Sequence, residues 1–187
     1  MTEAIDLARL AADVQHLKDR QAIADVVNRH ARGHDRFDLE IMASCYHVDG
    51  FDEHGFAINP GPEYGDWANR IHAGGSQLNL HNITTHTCEI DGDIAHAESY
   101  VMVGLLDPDG VTVRFINGRY VDRLEKRDGE WRIALRRCTL DFMFQADAKI
   151  LQSPYIKSGG WIKGQRDESD VSYQRPLSLD KEVERLA

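Results

Sequence analysis

The feature that most limits the fold is a series of long β-type segments in the second half of the chain. These segments are rich in β-branched and aromatic residues, and they cover residues 84–90, 94–106, 111–126 and 131–144. Short turns rich in Asp and Gly separate them at residues 91–93, 107–110 and 127–129. Long strands joined by such turns are typical of an antiparallel meander. The second half is therefore predicted to form an antiparallel sheet.

The first half of the chain has helical periodicity instead. Within residues 1–35 an apolar stripe recurs every three or four positions, formed by Leu10, Val14, Leu17, Ala24, Val27 and Ala31. Asp38 is a predicted N-cap for a second helix, whose apolar face holds Leu39, Met42, Ala43 and Tyr46. A third helix is predicted at residues 63–73 from the spacing of Tyr64, Trp67 and Ile71. Helices followed by strands predict an α+β fold with the helices packed on one face of the sheet.

Length and charge exclude several classes of function. The 187 residues suit one domain, and 22 Lys and Arg against 31 Asp and Glu give a net charge of −9. This balance argues against a nucleic-acid partner, because binding to phosphates depends on Lys and Arg. No apolar run reaches the roughly 20 residues that span a bilayer, and the first 20 residues lack the apolar core of a signal peptide. We expect a cytoplasmic protein without a nucleic-acid or membrane partner.

The last 42 residues (146–187) differ in composition from the body that precedes them. Pro and Gly interrupt any periodicity there, yet bulky apolar residues recur at Tyr155, Ile156, Trp161, Ile162 and Tyr173. That apolar content is too high for a simply disordered tail. The sequence predicts one domain over residues 1–145 and an ordered C-terminal arm over residues 146–187 that covers the body or a neighbouring subunit.

A candidate catalytic group lies at the end of the first predicted helix. Asp35 follows Ala31 by four positions, so its carboxylate can face the buried side of the helix, where an unpaired charge is costly. The natural partners are a histidine of the first long strand and an arginine of the last. His81 and His86 lie on opposite faces of one strand, as do Arg136 and Arg137 on another. Position alone does not decide which face is inward, and a solvated Asp35 is the simpler alternative.

Two further residue types raise the questions of metal binding and covalent catalysis. Asp52 and His54 are two positions apart and present ligands on one face if the segment is extended. No third ligand follows at a telling spacing, so no metal site is predicted. The three cysteines lack CxxC spacing and form an odd number, which predicts neither disulfides nor a zinc site. Cys45 is interpreted as a core residue rather than a nucleophile.

Five segments carry a family resemblance. They are residues 31–36 (ARGHDR), 45–50 (CYHVDG) and 52–55 (DEHG), then His81 with the turn 91–93 (DGD), then 129–133 (GEWRI) running into Arg136. In order and spacing they resemble the SnoaL-like branch of the nuclear-transport-factor-2-like (NTF2-like, cystatin-like) superfamily. That branch is similar to scytalone dehydratase, bile-acid 7α-dehydratase and hexachlorocyclohexane dehydrochlorinase. The resemblance covers about residues 10–145.

This resemblance implies a fold and a catalytic arrangement. The fold is a cone, in which a strongly curved antiparallel sheet wraps around the N-terminal helices and encloses one pocket. His81 is implied as the general base and Asp35 as the group that orients its imidazole, a division of labour also found in serine proteases. Arg136 matches the family arginine better than Arg137 does, and it is expected to hold Asp35 or to bind developing negative charge. Neither a metal nor a cofactor is required.

The substrate is expected to be small and hydrophobic. Some related dehydratases have a pocket tyrosine at the position of His30, so His30 or Tyr46 is expected to polarise the leaving group or a carbonyl. The other candidates for the pocket wall are Phe51, Phe56, Trp67, Met102, Phe115, Phe142 and Phe144. The function implied is a cofactor-independent lyase of the dehydratase type, acting on a hydroxylated aromatic, terpenoid or steroid-like compound. Family relatives are commonly oligomers, so a homodimer or homotrimer is expected.

Two alternatives remain open from the sequence. The cone fold also serves non-catalytic proteins that bind small molecules, because a fold does not fix a function. It also serves the beta subunit of aromatic-ring dioxygenases, which would associate with a larger, iron-containing chain. The joint presence of Asp35, His81 and Arg136 favours the enzyme, since a carrier has no need of this trio.

Overall fold

The computed structural model describes residues 6–186. Four α-helices occur in this part of the chain, and three of them precede the long strands: α1 (Leu7–Asp35), α2 (Leu39–Ser44), α3 (Tyr64–Gly75) and α4 (Pro154–Lys157). Asp38 caps α2 as predicted, because its carboxylate accepts a hydrogen bond from the backbone N–H of Ile41 at 2.9 Å. Residues 1–5, at the start of the first predicted helix, lie outside the described part. No helix within residues 6–186 is both long and apolar enough to cross a membrane.

Seven strands form one sheet, and their order is β2-β1-β6-β5-β4-β3, with β7 also paired to β5. Their bounds are β1 (Tyr46–His54), β2 (Ala57–Pro60), β3 (Leu78–Asp91), β4 (Ile94–Leu106), β5 (Thr112–Arg127), β6 (Glu130–Cys138) and β7 (Phe142–Asp147). Every pair is antiparallel except β1 with β6, which is parallel. The α+β prediction is confirmed, and the strands of the second half, β3 to β7, pair antiparallel as predicted. The parallel pair arises because β1, which was not predicted as a strand, inserts beside β6.

The last predicted strand, residues 131–144, is divided into two. β6 pairs with the second half of β5, whereas β7 pairs with the first half of β5. Between β6 and β7 the chain stays hydrogen-bonded to β5, because the backbone N–H of Thr139 donates to the carbonyl of Arg119 at 2.9 Å. Gly118 permits this close crossing, because a Cβ at that position would lie 2.0 Å from the carbonyl oxygen of Thr139.

The core lies between the sheet and the C-terminal half of α1. The buried residues of that half are Ile23, Val26, Val27, His30, Ala31, Gly33, His34 and Asp35. Its N-terminal half is exposed in the single chain, including the predicted stripe members Leu10, Val14 and Leu17. Tyr46 begins β1 rather than continuing α2, and it is buried with Ile23 in the main apolar cluster. The expected homo-oligomer stays a prediction.

The C-terminal arm contacts the body mainly through polar groups of residues 166–173. Arg166 donates to the Oγ of Ser76 at 2.6 Å, Asp170 pairs with Arg36 at 3.2 Å, and the phenol of Tyr173 donates to Asp38 at 2.7 Å. Tyr155 and Trp161 are 75% and 56% exposed. These two aromatic residues therefore do not pack on the body of the same chain. The boundary after residue 145 stays a prediction.

The crossing at Gly118 gives a stability prediction. Gly118→Ala forces β5 away from the backbone of Thr139, so we expect the free energy of unfolding to fall by about 1–3 kcal/mol. Gly104→Ala on β4 is the matched control, because its Cβ would lie 3.6 Å from the nearest atom, in Phe115. Urea denaturation followed by circular dichroism measures both variants. Equal losses in the two variants would contradict the close approach at position 118.

Candidate functional site

Asp35 and His81 form the central pair of the candidate site. The Nδ1–H of His81 donates to the Oδ1 of Asp35 at 2.6 Å. The same carboxylate accepts the backbone N–H of His81 at 2.9 Å and the side-chain amide of Asn79 at 3.0 Å. The predicted contact is therefore confirmed. Because Nδ1 carries the hydrogen that is donated to the carboxylate, the lone pair of a neutral His81 is on Nε2.

The local sequence of β3 explains why these groups meet. Asn79, His81 and Ile83 alternate with exposed residues, so their side chains point towards α1. The register of β3 with β4 then shifts between Ile83 and His86. This irregularity turns His86 inward as well, where it contacts the buried Ser99 at 2.8 Å. The prediction that His81 and His86 occupy opposite faces is wrong, because a regular alternation was assumed across the irregularity.

Arg136 faces inward, as predicted, but its partner differs from the predicted one. Its side chain is fully buried and makes two parallel hydrogen bonds to Asp122, at 2.8 and 2.7 Å. Asp122 and Arg136 are direct register partners on β5 and β6, so this carboxylate is nearest to the guanidinium. Arg136 therefore does not hold Asp35, and the expectation that it does is corrected. Arg137 points outward, is 65% exposed and pairs with Glu53.

A chain of buried hydrogen bonds continues from Arg136 through two predicted site residues. Arg136 donates to the Nδ1 of His30 at 3.0 Å, so the proton of a neutral His30 is on Nε2 and faces the phenol oxygen of Tyr46 at 3.2 Å. Tyr46 in turn donates to Asp52 at 2.6 Å. Burial, reinforced by the charge of Arg136, holds the pKa of His30 well below its usual value. Both side chains are committed to this network, so neither lines a cavity as a substrate-binding group.

His34, His72 and His81 pack together beside the Asp35 pair. The ring centroids of His34 lie 4.2 Å from His81 and 4.8 Å from His72, and those of His72 and His81 are 6.0 Å apart. Burial, together with the neighbouring imidazoles, holds the pKa of His34 well below its usual value. The same causes lower the pKa of His72 to about 4. Both rings are therefore neutral at neutral pH.

A cavity of about 240 Å³ adjoins the histidine cluster. Its wall is mostly aromatic and aliphatic, and it consists of His54, Tyr64, Trp67, Ile71, His72, Gly75, Ser76, Leu105, Arg114 and Ile116. Trp67 is the one predicted wall residue that lines it. Arg114 supplies the positive charge, held by Asp107 at 2.6 Å and by the carbonyl of Gly75 at 2.5 Å. Burial and the charge of Asp52 raise the pKa of the Tyr64 phenol well above its usual value, so it stays protonated.

Most of the other predicted wall residues lie elsewhere. Five of them are exposed, namely Phe51, Phe56, Met102, Phe142 and Phe144. Met102 illustrates the reason, because it alternates along β4 with the buried Val101 and Val103 and so points away from the core. Phe115 is half-buried, stacks on Phe144 with ring centroids 5.0 Å apart and does not line the cavity. The predicted wall is wrong at these six positions.

A larger cavity, of about 700 Å³, opens between the C-terminal arm and the body. It lies at Gln77, Leu78 and Leu106 on one side and at Ile162 and Arg166 on the other. Neither Asp35 nor His81 lines this cavity or the cavity of about 240 Å³. The expectation of a single enclosed pocket containing the catalytic pair is therefore corrected, since the described residues enclose more than one cavity.

Two sets of potential metal ligands occur within residues 6–186. One is His34, His72 and His81, and the other adds Cys138 to the noted pair Asp52 and His54. Each set has one ligand atom per residue, and within a set these atoms lie within 4.8 Å of one another. Cys138 is the register partner of His54 across the parallel strands β1 and β6. Sequence spacing did not reveal this third ligand, because β6 is more than 80 residues further along the chain.

Several residues of the site were not predicted as functional, and they include Tyr64, His72, Arg114 and Asp122. Asp122 carried a signal, because it falls on the inward face of β5 between the apolar positions Tyr120 and Leu124. A charged residue at such a position requires a buried partner. His72 and Arg114 carried no comparable signal, since helix α3 and the start of β5 meet only in the folded chain.

Comparison with known families agrees with this geometry. Residues 15–137 match the family described as the SnoaL-like domain. The chain belongs to the SnoaL-like domain family. The match ends at residue 137, so the C-terminal arm lies beyond the part that this SnoaL-like domain shares with its family. A search of curated proteins gave no match.

Solved structures show the fold of this SnoaL-like domain. Hexachlorocyclohexane dehydrochlorinase from Novosphingobium barchaimii is 22% identical, with a TM-score of 0.66, covering 72% of this chain and 94% of the other. A putative scytalone dehydratase from Novosphingobium aromaticivorans is 17% identical, with a TM-score of 0.62 and coverage of 69% and 88%. An NTF2-like protein with a cystatin-like fold from the same organism is 24% identical, with a TM-score of 0.61 and coverage of 74% and 92%. The NTF2-like fold predicted from the sequence is confirmed.

The buried ion pair gives a second stability prediction. Arg136→Leu in this SnoaL-like domain leaves Asp122 charged and without its partner, so we expect the free energy of unfolding to fall by about 3–5 kcal/mol. Arg137→Leu is the matched control on the same strand, and its exposed pair with Glu53 contributes little. Urea denaturation compares the two variants. Similar losses for both would mean that the interior pairing of Arg136 is unimportant.

The lowered pKa values of three histidines lead to a prediction of how stability depends on pH. The pKa values of His30, His34 and His72 are lowered in the folded chain, whereas the unfolded chain titrates near pH 6.5. Between about pH 6.5 and pH 5 the unfolded chain therefore binds more protons, and the free energy of unfolding falls as the pH is lowered. His72→Gln should make this dependence shallower, by up to about 1.4 kcal/mol per pH unit. His96→Gln replaces an exposed histidine and should leave the pH dependence of the free energy of unfolding unchanged. Identical slopes for the two variants would contradict the prediction.

Proposed function

We propose that this protein is a cofactor-independent lyase of the dehydratase type. In the proposed reaction, Nε2 of His81 removes a proton from a carbon next to an electron-withdrawing group. The C–H electron pair forms the new double bond as the bond to the neighbouring hydroxyl oxygen breaks. The imidazolium of His81 gives that proton to the departing hydroxide, which leaves as water, so His81 returns to its neutral form and atoms and charge balance without an oxidant or a reductant.

The observation that supports this proposal best is the geometry of Asp35. A carboxylate bonded to Nδ1 at 2.6 Å keeps the lone pair on Nε2 and stabilises the imidazolium that proton removal creates. The carboxylate is itself held by Asn79 and by the backbone N–H of His81. Neutral imidazole is the side chain best suited to accept a proton near neutral pH.

Charged and polar groups that line the 240 Å³ cavity suit the second part of the reaction, in which the bond to the hydroxyl oxygen breaks. In the proposed complex the substrate lies in this cavity, with its acidic C–H at the end formed by His72. His81 packs behind His72 and does not itself line the cavity, so the ring of His72 must move aside for Nε2 of His81 to reach this C–H. Tyr64 and Arg114 then supply an O–H donor and a positive charge for the oxygen that gains electrons. This assignment replaces the role first expected of Arg136, because Arg136 is fully buried and does not line the cavity, whereas Arg114 does.

The proposed substrate is small and largely apolar. The cavity wall is dominated by Tyr64, Trp67, Ile71, Leu105 and Ile116, and its volume lies just below the range of about 300–1,000 Å³ typical of pockets for drug-sized ligands. A single hydroxylated ring fits this space better than a steroid. The dehydrochlorinase named above acts on a chlorinated six-membered ring, so elimination of chloride is the related chemistry to include in an assay.

A carrier function is the second candidate, and the 700 Å³ cavity favours it. This larger cavity is separate from Asp35 and His81 and lies against the C-terminal arm. A hydrophobic ligand held there would need no catalytic group. The two candidates differ in one measurable respect, since a carrier binds its ligand without converting it.

Variants of the catalytic pair test the lyase. A panel of β-hydroxy ketones, hydroxylated aromatic compounds, terpenoid alcohols and hexachlorocyclohexane is screened for loss of water or chloride by mass spectrometry. For any substrate found, we expect His81→Ala and Asp35→Asn each to lower turnover by at least about 100-fold, the usual contribution of a positioned acid or base. The double variant should be little worse than either single one, because the two side chains act as a unit.

His96→Ala serves as the control for this experiment. His96 is an exposed histidine on β4, and its removal should leave turnover unchanged. Circular dichroism checks that each variant is folded. Near-native turnover in the double variant would eliminate the lyase proposal, and a compound that raises the melting temperature without being converted would favour the carrier.

A further inference from the structure

We propose that His34, His72 and His81 form a binding site for one divalent transition-metal ion of the zinc class. The three residues come from three separate elements, α1, α3 and β3. One ring nitrogen of each lies within 4.8 Å of a ring nitrogen of the other two. Zinc bound by histidine has Zn–N distances of about 2.0–2.1 Å. Three nitrogens at that distance from one tetrahedral ion lie about 3.3 Å from one another, so the rings must rotate inward to bind it.

The hydrogen bonds of the cluster leave the right atoms free. His34 uses Nε2 for its contact with the phenol of Tyr64 at 2.9 Å, and within the described residues its buried Nδ1 has no hydrogen-bond partner. A buried polar atom without a partner is costly and calls for an explanation. His81 uses Nδ1 for Asp35, so its Nε2 is available. Both residues thus present one nitrogen with a lone pair.

The partners of the other nitrogens match those of metal-binding histidines. Such a histidine usually donates its second N–H to a carboxylate, a carbonyl or another oxygen, which fixes the ring and increases its basicity. Asp35 does this for His81, and the hydroxyl of Tyr64 does it for His34. The negative charge of Asp35 also offsets part of the charge of a divalent cation that is otherwise surrounded by neutral ligands.

The ligand type indicates which class of ion the cluster would bind. All three ligand atoms are imidazole nitrogens. Three imidazoles are a ligand set for zinc, copper, nickel or cobalt rather than for magnesium or calcium, which prefer oxygen.

The second ligand set is less suited to an ion. Burial and the charge of Asp52 raise the pKa of the Cys138 thiol well above its usual value, whereas a metal binds the thiolate. One oxygen of Asp52 already accepts a hydrogen bond from the phenol O–H of Tyr46 at 2.6 Å. We therefore assign the ion to the three histidines and treat the set containing Cys138 as an outcome of the test.

The site has a consequence for catalysis that rests on the proposed function. An ion on Nε2 of His81 occupies the lone pair that would remove the substrate proton. The ion would then inhibit the lyase by masking its base, and chelation would restore activity. Binding of the ion itself does not depend on the reaction and is measured separately, so failure of one proposal is distinguishable from failure of the other.

Metal titration of the whole chain tests the site. After dialysis against EDTA, the protein is titrated with Zn²⁺ by calorimetry and with Co²⁺ by visible absorption. We expect one ion per chain and a spectrum without the intense thiolate bands of a cysteine ligand. His72→Ala should weaken binding by more than roughly 100-fold, and Asp35→Asn by roughly 10- to 100-fold, as for other residues that support metal ligands.

Two control variants sharpen the test. His96→Ala removes an exposed histidine, and Cys138→Ser removes the sulfur ligand of the other set, so neither should change affinity for the ion. Circular dichroism confirms that all variants are folded. The proposal is overturned if the unmodified protein binds neither ion, if His72→Ala and Asp35→Asn both bind as tightly as the unmodified chain, or if only Cys138→Ser abolishes binding.

Discussion

A row of three buried charges organises the interior of this protein. Asp52, Arg136 and Asp122 are register partners on the neighbouring strands β1, β6 and β5, and none of them is more than 2% exposed. A buried charge without its partner is strongly destabilising, so β5 and β6 must keep the register in which Asp122 meets Arg136. His30 and Tyr46 extend the row by hydrogen bonds to Arg136 and Asp52. This network joins α1 to the sheet.

The same attachment positions the candidate site. His30 fixes the rotation of α1 against β6, and His34, one turn later on the same face, then points towards α3 and β3. Asp35 follows at the end of the helix, where it meets the backbone and side chain of His81. His30 and His34 remain neutral because burial lowers their pKa values, so they provide lone pairs and N–H donors rather than charge. A base and a metal ligand need the same lone pair, which is why both proposals converge on His81.

Much of the fold was predictable because its signals are local. The helical stripe, the N-cap at Asp38 and the alternation in β3, β4 and β5 each depend on residues close together in sequence. β1 was missed because its residues 46–54 mix aromatic, acidic and histidine side chains, whose burial depends on partners in β6. The long predicted strand that ends at residue 144 is divided, because β6 and β7 pair with different halves of β5. Pocket-lining residues were the least predictable, because an apolar side chain on a strand belongs equally well to an outer face.

By itself, the sequence determined that helices precede a mostly antiparallel sheet, the resemblance to the SnoaL-like family and, through that resemblance, the pairing of Asp35 with His81. These follow from periodicity, from motif order and from the cost of a buried charge at a helix end. Only the tertiary structure decided that Arg136 pairs with Asp122, that Cys138 lies beside His54 and that His72 joins His34 and His81. Each of these contacts joins segments far apart in the chain, and strand register and helix packing, rather than any local pattern, determine which atoms meet.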